Sequence, residues 1–163
     1  FPSFDKNQNL NFFLGRSFLK EEKLKYRNCS AKRKDVIFKE FDIDFSKTLF
    51  IAEGVFDLLN MPDNSTCLLG SWMDKNYALF NKIVENKTPV VLCLDPDAAD
   101  KAQKIAKKLH EYCIDVKVSQ HREKDFGDMT KNEINYWLNN AKPYNNLSRI
   151  EYLIKGISSG SMF

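Results

Sequence analysis

The fourteen residues from Val90 to Gln103, VVLCLDPDAADKAQ, constrain the fold of this chain more than any other stretch. Val90 to Leu94 is an unbroken apolar run rich in β-branched residues and preceded by Pro89, the pattern of a strand buried on both faces in a parallel sheet. From Ala98 the apolar residues Ala98, Ala102, Ile105, Ala106, Leu109 and Cys113 recur at helical spacing, leaving Lys101, Lys104, Lys107 and Lys108 for the wet face. Asp95 and Asp97 therefore occupy a strand-to-helix turn, where open α/β sheets bind ligands. Two carboxylates about 4 Å apart repel by roughly 4 kcal/mol at an effective dielectric of ~20, so they need compensation. A divalent cation with a preference for oxygen ligands supplies it; the alternative is that Asp97 caps the helix and Asp95 opens the turn.

The segments around this stretch repeat the alternation of strand and helix. Thr48 to Ala52 reads as a strand, Gly54 to Met61 as a short helix, Thr66 to Leu69 as a brief strand before Gly70, and Lys75 to Glu85 as a helix with Leu79, Phe80, Ile83 and Val84 inward. Asp115 to Ser119 supplies a fourth strand, Lys131 to Ala141 a helix with Ile134, Trp137 and Leu138 as its stripe, and Arg149 to Lys155 the start of another. Four strands separated by helices predict a parallel α/β sheet with right-handed crossovers. Ahead of it, FPSFDKNQNLNFFLGRSF reads as two strands joined by a turn at Asp5 to Asn9, the second strand ending at Gly15. A boundary is expected near Asp42 to Lys47, dividing the chain into a small mixed α/β region (1–46), the four-stranded α/β domain (47–130) and a helical extension (131–163). ISSGS near the end reads as flexible.

Charge is distributed unevenly. The net charge of +3 decides nothing, but between Arg16 and Lys39 nine basic residues face three acidic ones. Such a run either faces water or, with Tyr26 interleaved, lies along a strand of nucleic acid. No apolar run approaches the roughly 18 residues that span a membrane. Cys29, Cys67, Cys93 and Cys113 include no close pair, which excludes a zinc ribbon within the chain. The last three lie in apolar contexts that suit buried, reduced thiols, so a cytoplasmic setting is expected. With Phe1 in place of a methionine and no signal-peptide pattern, the chain is expected to be a piece of a longer protein.

The candidate chemistry is acidic. Glu53 follows the first strand of the α/β sheet in IAEGVFD, with Asp57 one turn further along, and Asp125 and Asp128 in EKDFGDM follow the fourth strand. Parallel strands deliver their C-terminal ends to one side, so these groups should converge with Asp95 and Asp97 at one sheet edge. Carboxylates gathered without matching histidines favour magnesium or manganese over zinc. His110, on a helix surface, and His121, in a polar loop, are not expected to bind metal, and Trp72 and Trp137 are expected to be packing anchors.

In this order and context the acidic set resembles the Toprim domain shared by DNA primases, type IA and II topoisomerases, recombination mediators and some nucleases. Glu53, Asp95 and Asp97 match its signature, and the resemblance spans roughly Thr48 to Met129. Upstream, a proline-led strand, an aspartate turn, the Gly15-Arg16 pair and the Lys25-Tyr26-x-Asn28 segment resemble the RNA-polymerase core of bacterial and phage replicative primases. EKDFGDM is similar to the primase Lys-Asp motif, with Lys124 and Asp125 in place, Phe126 where a proline is usual, and the second acid displaced to Asp128, whose role the motif leaves undefined. The resemblance then covers about residues 1 to 130, and the short loops are more phage-like than bacterial.

That resemblance implies metal-dependent nucleotidyl transfer, making short RNA primers from ribonucleoside triphosphates on a single-stranded DNA template. Glu53, Asp95 and Asp97 would be catalytic and hold magnesium or manganese, with Asp57 and Asp125 as further metal ligands. Arg16, Lys25, Tyr26, Asn28 and Lys124 would contact template or nucleotide. A replicative helicase is the implied partner, through regions outside this chain, as is a zinc-binding segment ahead of it; the setting would be the host cytoplasm for a phage protein. Two other functions use the same residues: a Toprim nuclease or phosphohydrolase, and a non-catalytic single-strand-binding module with a structural metal. A topoisomerase would need a nucleophilic tyrosine in a separate domain, for which the chain has no room.

Overall fold

The computed structural model describes residues 1–19, 21, 23–120 and 124–158, the last four by backbone alone. Lys20 and Glu22 of the basic stretch, His121, and the tail beyond Ser158 lie outside the described residues. Ile157 and Ser158, the first two residues of the ISSGS stretch, belong to the last helix.

Strands β1 (Pro2–Phe4), β2 (Leu10–Arg16) and β3 (Tyr26–Asn28) form an antiparallel sheet in the order β1-β2-β3. The turn at Asp5 forms because its Oδ1 accepts from the N–H groups of Asn7 and Asn9 at 2.8 and 2.9 Å, while Gln8 takes a positive φ of 65°. β2 continues one residue past the predicted Gly15 end. β3 lies inside the basic stretch, where the sequence shows only charged chain; all three of its residues are exposed, and pairing with β2 defines it.

A buried serine anchors this sheet to the segment around Ile37 to Lys39. Ser3 Oγ donates to Asn11 Oδ1 at 2.7 Å and accepts from the Lys39 N–H at 2.9 Å, and Asn11 Nδ2 donates to the Ile37 carbonyl at 3.0 Å. Phe12 packs edge-on against Phe38, and both join Val36, Ala52, Val55 and Cys67 in one apolar cluster. The small sheet thus shares a core with the region after the predicted boundary.

The larger sheet contains β4 (Leu49–Ala52), β5 (Ser65–Cys67), β6 (Val90–Cys93), β7 (Val116–Val118) and β8 (Lys142–Pro143), ordered β5-β4-β6-β7-β8. The four predicted strands are parallel, but the sheet has a fifth: β8 pairs antiparallel with β7. Two residues, one of them a proline, give no strand signal, and an edge is where a strand tolerates proline.

Helices α1 (Ala78–Asn86), α2 (Ala99–Glu111), α3 (Lys131–Asn139) and α4 (Asn146–Ser158) complete the fold. The period-2 geometry of β6 sends Val90, Leu92 and Leu94 into one core with α1 and α2, and Val91 and Cys93 into a second with Phe126, Ile134 and Leu138. Burial of each such side chain contributes about 1.5–3 kcal/mol.

Several expectations are corrected. α1 begins at Ala78, not Lys75, because Asp74 captures the Asn76 N–H at 2.9 Å and forms a turn there. Gly54 to Met61 holds only a single 3-10 turn, Asp57–Asn60. Cys113 is exposed, not buried: α2 ends at Glu111 and Cys113 takes φ 59°, which turns it off the apolar stripe. Trp72 is a surface residue that donates to Asp74 Oδ2 at 3.2 Å, whereas Trp137 does pack against the second core. Among the described residues, no helix is long and apolar enough to cross a membrane.

Candidate active site

Register brings the acidic groups together. Ala52 at the end of β4 pairs with Cys93 at the end of β6, so Glu53 leaves the sheet beside Leu94 and one residue short of Asp95. After Asp95 the chain makes a 3-10 turn, Pro96–Ala98, which carries Asp97 before α2 begins. One carboxylate oxygen from each of Glu53, Asp95 and Asp97 lies within 4.8 Å of the others. Glu53 and Asp95 are partly buried, and Asp97 is exposed.

These oxygens are not compensated by the protein alone. Among the described residues, Glu53 Oε2 and Asp95 Oδ1 are buried and have no hydrogen-bond donor. Burial raises the Asp95 carboxyl to about 7, helped by the charges of Asp57, Asp125 and Glu53, while the Phe126 N–H opposes the shift. Glu53 is also raised, first by burial and then by Asp97, with the Lys101 charge opposing. Converging oxygens, two of them orphaned and held against their charged form, suit a hard divalent cation.

Asp57 is placed differently. Only 8% exposed, it accepts from the Gly54 N–H through Oδ2 at 2.7 Å and from the Gly127 N–H, and burial again raises its pKa. It braces the Glu53 turn against the turn after β7 and stands outside the three-carboxylate group. Asp125 and Asp128 are exposed and also outside that group, but with Glu53, Asp57 and Asp95 they line one open cleft of about 360 Å³. The cleft therefore collects five of the six predicted acids, and Asp97 joins them through its contact with Glu53 and Asp95.

The basic candidates separate into two groups. Arg16 and Tyr26 line the same cleft. Asn28 instead lines a neighbouring pocket of about 280 Å³, whose wall Tyr26 shares. Lys25 is exposed on the β2–β3 connection, where its carbonyl accepts from the Ser17 N–H. Lys124 pairs with Glu133 at 2.8 Å at the start of α3, and that contact holds the Glu133 carboxyl down to about 2.

Three residues, two lining the cleft and one buried behind it, have roles that the sequence motifs do not signal. Phe126 is fully buried in the second core, and its N–H supports Asp95, a bond a proline at this position could not donate. Gly127 lies against Asp57, which the glycine in DFGD could have suggested. Phe56 stacks under Arg16, and its only signal was an aromatic between two acids.

No protein-family model matches the chain. It is 28% identical over 168 aligned positions to a DNA primase of Mycoplasma pneumoniae, covering 94% of this chain and 27% of that protein. The chain thus spans about a quarter of that relative's length. Among solved structures, the Aquifex aeolicus primase (zinc-binding and RNA polymerase domains) aligns at a TM-score of 0.73 and 20% identity, over 97% of this chain and 42% of that one. The DnaG catalytic core aligns at a TM-score of 0.69 and 17% identity, over 88% of this chain and 52% of that one. The chain has the mixed α/β fold of these primase cores.

Proposed function

We propose that this chain is the nucleotidyl-transferring core of a DNA primase, which joins ribonucleotides into short primers on single-stranded DNA. The observation that carries the proposal is the approach of Glu53, Asp95 and Asp97 to within 4.8 Å, with Glu53 Oε2 and Asp95 Oδ1 left without donors among the described residues. The primase-core fold and the similarity to a bacterial primase support it. Residues 47–130 are the Toprim unit in this proposal, residues 1–46 a basic template- and nucleotide-binding unit, and residues 131–163 a helical extension. The short loops favour a phage-type enzyme, and a replicative helicase would act through regions outside this chain.

Glu53, Asp95 and Asp97 would hold magnesium or manganese, and Asp57 and Asp125 would complete the acidic surround. When bound, the ion supplies Lewis-acid activation of the phosphate and of the attacking hydroxyl. The protein's own contribution is positioning. Glu53 and the Asp95–Asp97 turn are fixed by adjacent strands, and Asp57 holds the Glu53 turn in place. Arg16 and Tyr26 on the cleft wall, with Lys25 and Asn28 beside it and Lys124 at the start of α3, would steer template and nucleotide phosphates.

The test is incubation with a single-stranded template, labelled ribonucleotides and manganese. Primer extension supports the proposal, degradation of the strand indicates a nuclease, and retention of DNA with neither indicates a binding module. In the first case Asp95→Ala with Asp97→Ala should abolish extension while leaving DNA retention in place; persistent extension would place the chemistry elsewhere.

A further inference from the structure

Arg16 has an unusual environment for a cation in an acidic cleft. It shares the cleft with Glu53, Asp57, Asp95, Asp125 and Asp128, yet among the described residues it pairs with none of them. Its contacts are aromatic instead. The guanidinium carbon lies 4.6 Å from the Phe56 ring centroid and 5.3 Å from that of Tyr26. Tyr26 is the cross-strand partner of Arg16, so β2 and β3 fix one ring. Phe56 follows Glu53, Gly54 and Val55, so the acidic turn fixes the other.

The two rings stand 6.1 Å apart at 74°, and Phe1 also meets Phe56 in an edge-to-face arrangement at 5.0 Å. An exposed arginine on a flexible stem would otherwise fall toward the nearest carboxylate, neutralising an oxygen needed for a cation and hiding its own donors. Ring faces attract a guanidinium without consuming its N–H groups.

We propose that Phe56 is a positioning residue that, with Tyr26, clamps Arg16 away from the carboxylates so that its N–H donors remain available to the polyphosphate of an incoming nucleotide. The identity of that anion rests on the proposed polymerase function. Because Phe56 lies between Glu53 and Asp57, the clamp couples the cation-holding turn to the small N-terminal sheet: the acid that would hold metal and the base that would hold phosphate are set by one five-residue segment.

The experiment is a double-mutant cycle read by calorimetry, with inorganic tripolyphosphate in excess magnesium as the probe. Loss of one ring at an exposed site should weaken binding by about 5-fold, so Phe56→Leu should show that loss and Phe56→Trp should restore affinity. In an Arg16→Ala background, Phe56→Leu should add no further loss. The Arg16 Nε–Hε resonance should also move when the Phe56 ring is removed and return with the tryptophan. Should Phe56→Leu fail to fold, Tyr26→Leu and Phe56→Trp carry the same comparison. Unchanged affinity in Phe56→Leu, or an equal loss with and without Arg16, overturns the clamp, as does a parent chain that does not bind the probe. Primer extension is scored separately: a parent that shows the coupled loss but extends nothing keeps the clamp and rejects the polymerase, whereas extension with no coupling does the reverse.

Discussion

A Cβ at Gly127 would stand 3.1 Å from Asp57 Oδ1, and the Gly127 N–H donates to the same carboxylate. Through this contact the turn after β7 closes onto the turn after β4, and Asp57 holds both, since its other oxygen accepts from Gly54. The carboxylate cannot retreat freely because that bond is 2.7 Å long.

Gly127→Ala should therefore destabilise the protein by about 1–3 kcal/mol, as overpacking against a pinned neighbour does. For a chain of this size that corresponds to a fall in thermal midpoint of about 2–4 °C per kcal/mol. The variant should also bind manganese less well, because displacing Asp57 moves the Glu53 turn. A thermal midpoint matching the parent would show that the two turns are free to separate.

The raised Asp95 carboxyl makes a pH prediction for the metal-free protein. An acid whose folded value is about 7, against an ordinary value near 4, binds its proton more tightly when folded. Its contribution favours the folded state at low pH, declines as pH rises from about 4, and is lost above about 7. Over the same window a cation must displace that proton, so manganese affinity should climb with pH and level off above about 7. Thermal melts and manganese titrations across pH 4 to 8 measure both effects, and Asp95→Asn should flatten the first. A parent melting profile with no such decline would mean that Asp95 is not held protonated.

The legibility of each element depends on how its signal is encoded. The β6–α2 stretch was legible because full burial demands an apolar run and helical burial demands a 3.6-residue stripe. Once four parallel strands were read, the meeting of Glu53 with Asp95 and Asp97 followed from their positions just past strand ends. β3 was hidden because its residues are all exposed and only hydrogen bonding to β2 makes it a strand. β8 was hidden by its proline and its two-residue length. The role of Phe126 was illegible because it acts through its backbone N–H, which side-chain matching to a proline-containing motif cannot register.

The basic stretch predicts a salt dependence. Arg16, Lys23, Lys25, Arg27, Lys32, Arg33 and Lys34 are all exposed. If five phosphates of a single strand are neutralised there, log affinity should fall against log salt with a slope of roughly −3.5. Fluorescence anisotropy of a labelled oligonucleotide over a salt series gives that slope directly. A slope near zero would remove this surface from the nucleic-acid path, and replacing Lys25 and Arg27 by alanine should reduce its magnitude by about 1.4.

Ser3 links folding to the cleft. Its hydroxyl is almost fully buried, donates to Asn11 and accepts from Lys39, so truncation leaves a partly buried N–H and a partly buried side-chain carbonyl without their partner. Ser3→Ala should cost about 1–3 kcal/mol on that account, more than the loss of a solvated hydroxyl. The cost should also appear in function, because β1 and β2 lead directly to Arg16, and Asn11 supports the same segment through Ile37. Hydrogen exchange should show faster opening at Phe12 and Leu14 in the variant, while β6 amides, buried in the larger sheet, stay protected. If β6 loosened equally, the two sheets would open as one cooperative unit, and the small sheet would contribute to stability throughout the fold and not only at the cleft wall.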